Sequence, residues 1–313
     1  MLKVAAVVPP ASMNLGNDFF SMGGIAAFQQ AFPNTEVTLI EFFDSGEKWF
    51  GTVGGQTPMF TPATLQWIKD SADLVVLFGG CCLHSGLKHL FDDLFSTGKP
   101  FVGWGLSPTG YNADDVEFAK YVADRSLLLI TRDDIIAKMV GEYPNFMSGL
   151  DGGWWMGESY NKPGKSSHYL VVNVESGNSL NVGLANNIRE QLKRDHPNTP
   201  VYLISNNCER DYHYMDPESL LITSAEQLYT TIANSSGVVT TRAHSTICCL
   251  TNATPVRYIG ETSNRVLGLM SSVGIDITNP SEVANTQECF EKVKLAKEKF
   301  SADVKDNLKL PEA

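Results

Sequence analysis

Residues 237–251 read GVVTTRAHSTICCLT, in which an apolar run leads through a polar turn into a second apolar run. The first run, Gly237 to Thr241, has the composition of a buried strand, and the stretch from Ala243 to Thr251 is typical of a buried helix. A strand that leads directly into a helix is the repeating unit of parallel α/β folds. This stretch therefore predicts a parallel sheet covered by helices.

The same alternation extends in both directions along the chain. In the first half, apolar runs predict strands at 4–8, 36–42, 74–79, 100–104 and 126–130. Amphipathic stretches between them, such as 62–71 and 85–94, predict helices. After the polar segment 157–167, the alternation restarts with predicted strands at 169–174, 201–205, 220–222 and 255–259. The sequence thus predicts a doubly wound α/β protein of two domains, residues 1–160 and 161–280. By analogy with other two-lobed proteins, we expect residues 281–313 to form a C-terminal helix that packs back on the first domain.

The charge balance restricts the class of ligand. The 313 residues carry a net charge of -11. Because contacts to nucleic-acid phosphates need clustered Lys and Arg, we expect no nucleic-acid partner. An anionic small molecule must then be bound by a local positive pocket set against the overall field.

Cysteine and histidine spacing argues against a metal site. The six cysteines form no CxxC pair, and the six histidines form no HxxxH pair. We expect reduced cysteines, a cytoplasmic location and no bound metal. The apolar N-terminus is short and has no cleavage pattern, and no run approaches the roughly 18 apolar residues that a membrane span needs, so we expect no transmembrane segment.

The turn at Arg242 is the strongest candidate site, because ligands of open parallel sheets bind at the carboxyl ends of the strands. Arg242 and His244 fall at the start of a helix, where free N–H groups and the positive dipole end face the same space, and Thr241 or Ser245 is available as a cap. A guanidinium, an imidazole and a helix N-terminus together can bind a carboxylate or a phosphate. The alternative is a surface arginine with a histidine that caps the helix; the position after a strand favours the anion site.

Three other loops follow predicted strands of the first domain. Asn14, Gly16 and Asp18 follow the first strand, where they can hydrogen-bond hydroxyl groups and Asp18 can act as a base; the alternative is that Asn17 or Asp18 only caps the next helix. Gly79 and Gly80 allow a close approach of the backbone to a ligand or to another part of the chain. Arg132 either reaches into the cleft or pairs with a carboxylate that fixes its loop, while Asp133 caps a helix.

Taken in order, these loops resemble the motifs of the polysaccharide pyruvyl transferase family over roughly Lys3 to Ile275. The matching stretches are Asn14 to Asp18, Leu77 to Leu83, Arg132-Asp133, Asp151 to Gly153, and Arg242-Ala243-His244 with the later stretch Asn252 to Val256. The sequence departs from the family pattern at three points. Asn17 is inserted before Asp18, Cys81 replaces a usual third glycine, and Arg265 or Asn264 stands where a lysine is expected.

The resemblance implies two facing Rossmann-like domains, similar to the GT-B glycosyltransferase architecture, and an enzyme that needs no cofactor. It implies transfer of a pyruvyl group from phosphoenolpyruvate, a co-substrate, to a sugar of a glycan or glycoconjugate as a ketal. The second domain would bind the donor, through Arg242, His244, Ser245, Arg265 and Asn264, with Arg132 added from the first. The first domain would bind the acceptor through Asn14, Gly16, Asp18, Gly79 and Gly80, and His244, Arg242 and Asp18 would carry the catalysis. The alternatives are a glycosyltransferase that uses a nucleotide-sugar, or a non-catalytic relative that binds sugars.

Overall fold

The computed structural model describes residues 1–9, 15–42, 59–108, 110–160, 168–174, 179–205, 216–260, 264–276 and 286–310. Within these ranges the strands form two parallel sheets, one in each half of the chain. This confirms the predicted α/β class.

The first sheet has six strands in the order β2-β1-β3-β4-β5-β6. They are β1 (Leu2–Val8), β2 (Thr35–Glu41), β3 (Leu74–Phe78), β4 (Phe101–Leu106), β5 (Leu128–Thr131) and β6 (Phe146–Ser148). Every pairing is parallel, and Val4 of β1 lies between Val37 and Leu74. All five residues of β3 are buried, as expected for a strand with helices on both faces of its sheet.

Helices cover both faces of this sheet. They are α1 (Gly16–Ala31), α2 (Pro62–Ser71), α3 (Lys88–Ser96), α4 (Ala113–Ala123) and α5 (Asp134–Val140). Three of these, α2, α4 and α5, begin at a capping side chain. Thr61 caps α2 by accepting from the Thr64 N–H at 3.1 Å, and Asn112 forms a capping box with Asp115 at the start of α4. After β6, a 3₁₀ turn (Gly152–Trp155) leads into the short helix α6 (Met156–Ser159).

The second sheet has four strands in the order β10-β9-β7-β8. They are β7 (Leu170–Asn173), β8 (Val201–Leu203), β9 (Gly237–Thr240) and β10 (Val256–Tyr258), and their helices are α7 (Ser179–Asp195), α8 (Ala225–Asn234), α9 (Ala243–Thr251) and α10 (Asn264–Ser271). If the strands of each sheet are counted along the chain, both sheets place them side by side in the order second, first, third, fourth, and the first sheet then adds its fifth and sixth strands. The strand order therefore reverses between β1 and β3 and again between β7 and β9, where doubly wound sheets bind ligands.

The last described helix, α11 (Thr286–Asn307), packs on the first half of the chain and on α9. The Phe300 ring lies 5.5 Å from the Trp104 ring and 5.4 Å from the Trp155 ring. Lys297 pairs with Glu158 and lies over the Trp155 ring. The end of the chain thus covers the junction between the two halves.

A few elements differ from the sequence-based expectation. β6 was not predicted, because it has only three residues and these are partly exposed. They form a strand only by pairing with β5. The predicted helix 85–94 begins as a 3₁₀ turn (Ser85–Leu87), and the predicted strand 220–222 is a single bridge from Leu220 to Ile204. Most of the predicted linker 157–167 lies outside the described residues.

The two halves meet along helices at the carboxyl ends of the strands. Helix α9 packs against α1 and the 3₁₀ turn Gly152–Trp155, and α10 packs against α5. At the second contact, the Ser271 hydroxyl donates to Asp134 at 3.0 Å, and a Cβ on Gly268 would lie 2.9 Å from that of Asp133. These contacts bring loops of both sheets into one region.

Candidate active site

The turn between β9 and α9 is held in place by Asn173, the last residue of β7. The Asn173 carbonyl accepts the Thr240 hydroxyl at 2.7 Å and the Thr241 N–H at 3.2 Å. Its side-chain oxygen accepts the Ser245 hydroxyl at 2.7 Å, and its amide donates to the Ile204 carbonyl at 3.1 Å. One buried asparagine therefore fixes the ends of three strands and the first turn of α9.

Arg242 is the N-cap residue of α9, with its backbone extended and its side chain half-buried. Its N–H donates to the Thr240 hydroxyl at 2.9 Å, and its carbonyl accepts the Thr246 N–H at 3.1 Å. The helix starts without a side-chain cap from this residue. Arg242 therefore stands at the positive end of α9, beside the first-turn N–H groups.

His244, in the first turn of the same helix, contacts the first half of the chain. Its ring lies 5.6 Å from the Phe20 ring and 6.5 Å from the Phe19 ring of α1. Its Nε2 lies 3.6 Å from an Asp151 carboxylate oxygen, and only 8 % of the residue is exposed. The histidine is thus clamped between α1 and the turn that follows β6.

Asp151 and Arg132 form an ion pair that is completely buried. Their closest atoms, Arg132 Nη1 and Asp151 Oδ2, lie 3.5 Å apart. The other terminal nitrogen of Arg132 lies 3.5 Å from the Cys81 sulfur. Of the two alternatives that the sequence leaves open for Arg132, the pairing with a carboxylate is the one present. Asp133, as predicted, caps α5 by accepting the N–H groups of Ile135 and Ile136.

The charge state of Asp151 follows from its neighbours. Burial acts to raise the pKa of Asp151, but the contact with His244, the Arg132 charge and the Gly153 N–H more than offset it and lower the pKa. The Gly153 N–H donates to Asp151 at 2.8 Å. For Arg132, burial acts to lower the pKa, and surrounding acidic groups raise it overall. The carboxylate and the guanidinium are both charged in the interior.

Gly79 and Gly80, which were predicted to contact the acceptor, pack against the protein itself. A Cβ on Gly79 would lie 2.9 Å from the Cys82 sulfur, and a Cβ on Gly80 would lie 3.0 Å from Arg132 Nη1. The Gly80 carbonyl accepts the Ser107 N–H at 2.7 Å. The close approach that these glycines allow is to the chain, and an acceptor contact stays a prediction.

Gly23 of α1 and Gly152 allow the turn that carries Asp151 to approach α1 closely. A Cβ on Gly23 would lie 2.1 Å from the Gly152 carbonyl oxygen, and a Cβ on Gly152 would lie 2.1 Å from the Phe20 carbonyl oxygen. No side chain fits between α1 and this turn. The glycines therefore let the turn lie close enough to α1 to place Asp151 3.6 Å from His244.

Asp18 lies in the first turn of α1, where the N-cap residue is Leu15, so the capping alternative is not the one present. Burial, and then the charge of Glu41, raises the pKa of Asp18 to about 6. Burial, and then the charge of Asp18, also raises the pKa of Tyr160, so the two side chains are neighbours. The next residue of α1, Phe19, contacts both Tyr160 and His244. A carboxyl with this pKa can accept a proton near neutral pH.

The structure describes only some of the remaining residues that were predicted for the site. Ser245 is fully buried and its hydroxyl donates to Asn173, so any ligand contact by that hydroxyl stays a prediction. Gly16 is the buried first residue of α1. Asn14 lies outside the described residues, as do the side chains of Asn264 and Arg265. Their proposed roles stay predictions.

Sequence reasoning did not assign a role to Asp151 or to Asn173. Both follow the signal that was used for Arg242, since each is a polar residue at the end of a strand or just after it. Asp151 precedes two glycines, a pattern that marks a tight and closely packed turn. Applying the strand-end rule to every polar residue would have found both.

Among the described residues, no group of three or more His, Cys, Asp or Glu side chains is placed to hold a metal ion. Their cysteines, Cys81, Cys82, Cys248, Cys249 and Cys289, are buried free thiols. None of the helices in the described ranges is long and apolar enough to cross a membrane.

Comparison with known sequences gives one match over most of the chain. The sequence model of the polysaccharide pyruvyl transferase family matches residues 14–263, about four fifths of the length. This range includes Asp18, Arg132, Asp151, Arg242 and His244. A search of curated proteins finds no match.

Solved structures with a similar fold are distant in sequence. The S. aureus MnaA–UDP co-structure has 10% identity and a TM-score of 0.57, covering 98% of this chain and 91% of that one. UDP-GlcNAc 2-epimerase from Neisseria meningitidis, bound to UDP-GlcNAc, has 10% identity and a TM-score of 0.55, covering 99% and 95%. The Methanocaldococcus jannaschii UDP-GlcNAc 2-epimerase in complex with UDP-GlcNAc and UDP has 11% identity and a TM-score of 0.55, covering 96% and 94%. At these identities the likeness shows the fold, which is the Rossmann-like GT-B architecture.

Proposed function

Because the chain belongs to the polysaccharide pyruvyl transferase family, we propose that it transfers the pyruvyl group of phosphoenolpyruvate to a sugar of a glycan or glycoconjugate. The product is a pyruvate ketal, and phosphate is released. The observation that carries the proposal is the start of α9, where Arg242 and His244 lie together at a helix N-terminus.

The donor fits the charge pattern of this turn. Phosphoenolpyruvate carries a carboxylate and a phosphate on a three-carbon unit, so it needs local cations in a protein whose net charge is -11. Arg242 supplies a planar set of donors for a carboxylate or phosphate, and the first turn of α9 adds N–H groups and its dipole. The position at the reversal of strand order, between β7 and β9, is where such sheets bind ligands.

His244 is the proposed acid. A proton from its imidazolium passes to the methylene carbon of the donor, and the electron pair of the double bond forms the new C–H bond. The central carbon becomes oxocarbenium-like, and an acceptor hydroxyl forms a C–O bond to it. A second hydroxyl attacks the same carbon, and phosphate leaves with its bonding electron pair. Of the two hydroxyl protons, one passes to a base and the other leaves with phosphate; exchange with solvent then returns a proton to His244 and removes the one held by the base.

Asp18 is the proposed base for the acceptor hydroxyl. It lies on the first half of the chain, beside Tyr160 and on the helix whose Phe19 and Phe20 contact His244. Its pKa of about 6 leaves it mostly ionised at neutral pH and still basic enough to accept a proton. Donor and acceptor would thus be bound from opposite halves.

The proposal is tested by measuring phosphate release from phosphoenolpyruvate with pooled glycans, followed by mass detection of the ketal. Loss of the general acid in His244→Ala should lower kcat by about 100-fold or more. Loss of the guanidinium in Arg242→Ala should raise KM for the donor at least 10-fold, since a charge-assisted contact contributes about 1.5–3 kcal/mol. Near-normal turnover by both variants would contradict the assignment.

A matched control comes from the neighbouring strand. Arg257 is an exposed arginine in β10, paired with Val239 of β9, so Arg257→Ala removes the same charge from the protein but leaves the N-cap residue of α9 in place. Its kinetic constants should stay within about 2-fold of wild type if only the local contact matters. An equal loss in the Arg257 and Arg242 variants would mean that overall charge, and not the α9 turn, attracts the donor.

A further inference from the structure

Three buried polar side chains form a series of two contacts that joins the two halves of the molecule. Arg132 and Asp151 are both 0 % exposed and lie 3.5 Å apart, and His244 is 8 % exposed and lies 3.6 Å from Asp151. Arg132 and Asp151 come from the first half of the chain and His244 from the second. Burying such charges is costly unless they compensate one another, so the arrangement calls for an explanation.

The two carboxylate oxygens of Asp151 have different neighbours. Oδ1 accepts the Gly153 N–H at 2.8 Å and is also the oxygen that lies 3.6 Å from His244 Nε2. Oδ2 lies 3.5 Å from Arg132 and accepts no hydrogen bond from the described residues. The carboxylate therefore cannot rotate freely: one oxygen is directed at the imidazole and the other at the guanidinium.

The imidazole is held with one edge towards that carboxylate. A Cβ on Gly153 would lie 3.4 Å from His244 Cδ2, so Cδ2 and Nε2 both face the turn. Phe19 and Phe20 contact the ring from α1. His244 Nε2 is buried and has no hydrogen-bond partner within 3.5 Å among the described residues, while the Asp151 carboxylate oxygen lies 3.6 Å from it. The other ring nitrogen, Nδ1, lies on the opposite side of the ring from Cδ2.

We infer that Asp151 is a positioning residue that keeps the His244 proton on Nε2 and so makes Nδ1 the nitrogen that gives its proton to the donor. This rests on the proposed function. An anionic Asp151 can accept N–H from Nε2 but cannot donate to it, so the neutral ring must carry its proton there. In the imidazolium, Asp151 accepts from Nε2 and stabilises the charge, and the Nδ1 proton is the one that passes to the methylene carbon.

Arg132 has a supporting part in this arrangement. Its charge opposes protonation of the buried Asp151, whose pKa is lowered despite burial. A neutral, protonated Asp151 could donate to Nε2 and would reverse the tautomer. The guanidinium thus acts on the imidazole through the carboxylate and has no need to touch the donor.

The test is nitrogen NMR of protein labelled at histidine, at a pH where the ring is neutral, with His244→Ala to identify the signal. Wild type should show the proton on Nε2. In Asp151→Asn, the side-chain amide can donate to Nε2, so the proton should move to Nδ1. The same variant should lose at least about 100-fold in kcat with KM for phosphoenolpyruvate within about 3-fold of wild type.

A control variant separates orientation from general disturbance of the loop. Asp133 is another buried carboxylate of the first half, but it caps α5 and accepts from Tyr111 rather than facing His244. Asp133→Asn should leave the His244 tautomer unchanged. If Asp151→Asn fails to fold, the wild-type tautomer still decides the inference.

The outcomes distinguish this inference from the proposed function. A wild-type His244 with its proton on Nδ1 would overturn the inference, as would full kcat in Asp151→Asn. Failure of wild type to release phosphate from phosphoenolpyruvate with any glycan would overturn the proposed function, while the tautomer measurement would still stand by itself. Proton on Nε2 together with the loss of kcat would support both.

Discussion

The two sheets share one strand order but differ in what fills the point where that order reverses. In the first sheet, the turn after β3 is filled by the protein, since Gly80 lies against the Arg132 guanidinium. In the second sheet, Asn173 ties the strand ends together, and Arg242 stands half-buried at the start of α9. The same topology therefore holds an internal ion pair in one half and a candidate anion site in the other.

This difference shows that a glycine-rich turn is not by itself a ligand site. In the first half, small residues make room for Arg132 and for the approach of the 3₁₀ turn to α1. In the second half, the local sequence of strand, arginine and helix start creates the site without glycine. The first half contributes to catalysis in our account by holding Asp151 against His244.

The largest expected effect is on the buried ion pair. Arg132→Met should lower the free energy of unfolding by about 3–5 kcal/mol, because Asp151 would be left as an uncompensated buried charge. Urea unfolding measures the loss. The control is Lys138→Met, which breaks an exposed pair with Asp134 on α5 and should cost no more than about 0.5 kcal/mol. Equal costs in the two variants would show that the interior of the first half does not depend on this pair.

The next effect is on the close approach of the Asp151 turn. Gly152→Ala should destabilise the protein by about 3 kcal/mol, because its Cβ would lie 2.1 Å from the Phe20 carbonyl oxygen and backbone must shift. It should also lower kcat by moving Asp151 away from His244.

Gly183→Ala is the matched control for that change. Gly183 lies in α7 with no atom within 4 Å of an added Cβ. Alanine there should stabilise the helix by about 0.5–1 kcal/mol and leave kcat unchanged. A Gly152 variant as stable as the Gly183 variant would contradict the packing that we describe between α1 and the turn.

A smaller effect concerns the pH dependence of Asp18. Its pKa of about 6 is above the ordinary value of 3.8, so the carboxyl stabilises the fold at low pH and loses that contribution as the pH rises through about 6. Asp18→Asn should therefore be more stable than wild type by about 1 kcal/mol at pH 7.5, after allowance for solvent screening, with no difference near about pH 4. Its kcat should fall, so stability and activity should change in opposite directions.

Glu41→Gln refines this measurement. Burial is the larger cause of the raised pKa and Glu41 the smaller, so removing Glu41 should lower the pKa of Asp18 only part of the way. The stability difference between this variant and wild type should be smaller than for Asp18→Asn. If the free energy of unfolding changed with pH in the same way for wild type and Asp18→Asn, Asp18 would not be the titrating group.

The sequence predicts elements well where the signal is local. Helix α2 begins and ends at the predicted Pro62 and Ser71, because Thr61 and the proline mark its start. Helix α9 also has the predicted bounds, Ala243 and Thr251. Strand β6 was missed because its three residues are strand only through pairing with β5, which is a property of the fold.

The same distinction applies to the site. Arg242 and His244 were found because strand, turn and helix start are adjacent in the sequence. Asp151 is far from His244 along the chain and reaches it only when α1, the 3₁₀ turn and α9 pack together. Arg132 was assigned two alternatives because its burial depends on Gly80 and Asp151, which come from other loops. Partners across the two halves need the three-dimensional structure.

The most direct test of the central claim is calorimetric titration of phosphoenolpyruvate into wild type, Arg242→Ala and Arg257→Ala. We predict that wild type and Arg257→Ala bind with the same affinity and that Arg242→Ala binds at least about 10-fold more weakly. Unchanged binding by Arg242→Ala, or binding of UDP- or GDP-sugars by a wild type that does not bind phosphoenolpyruvate, would contradict the account.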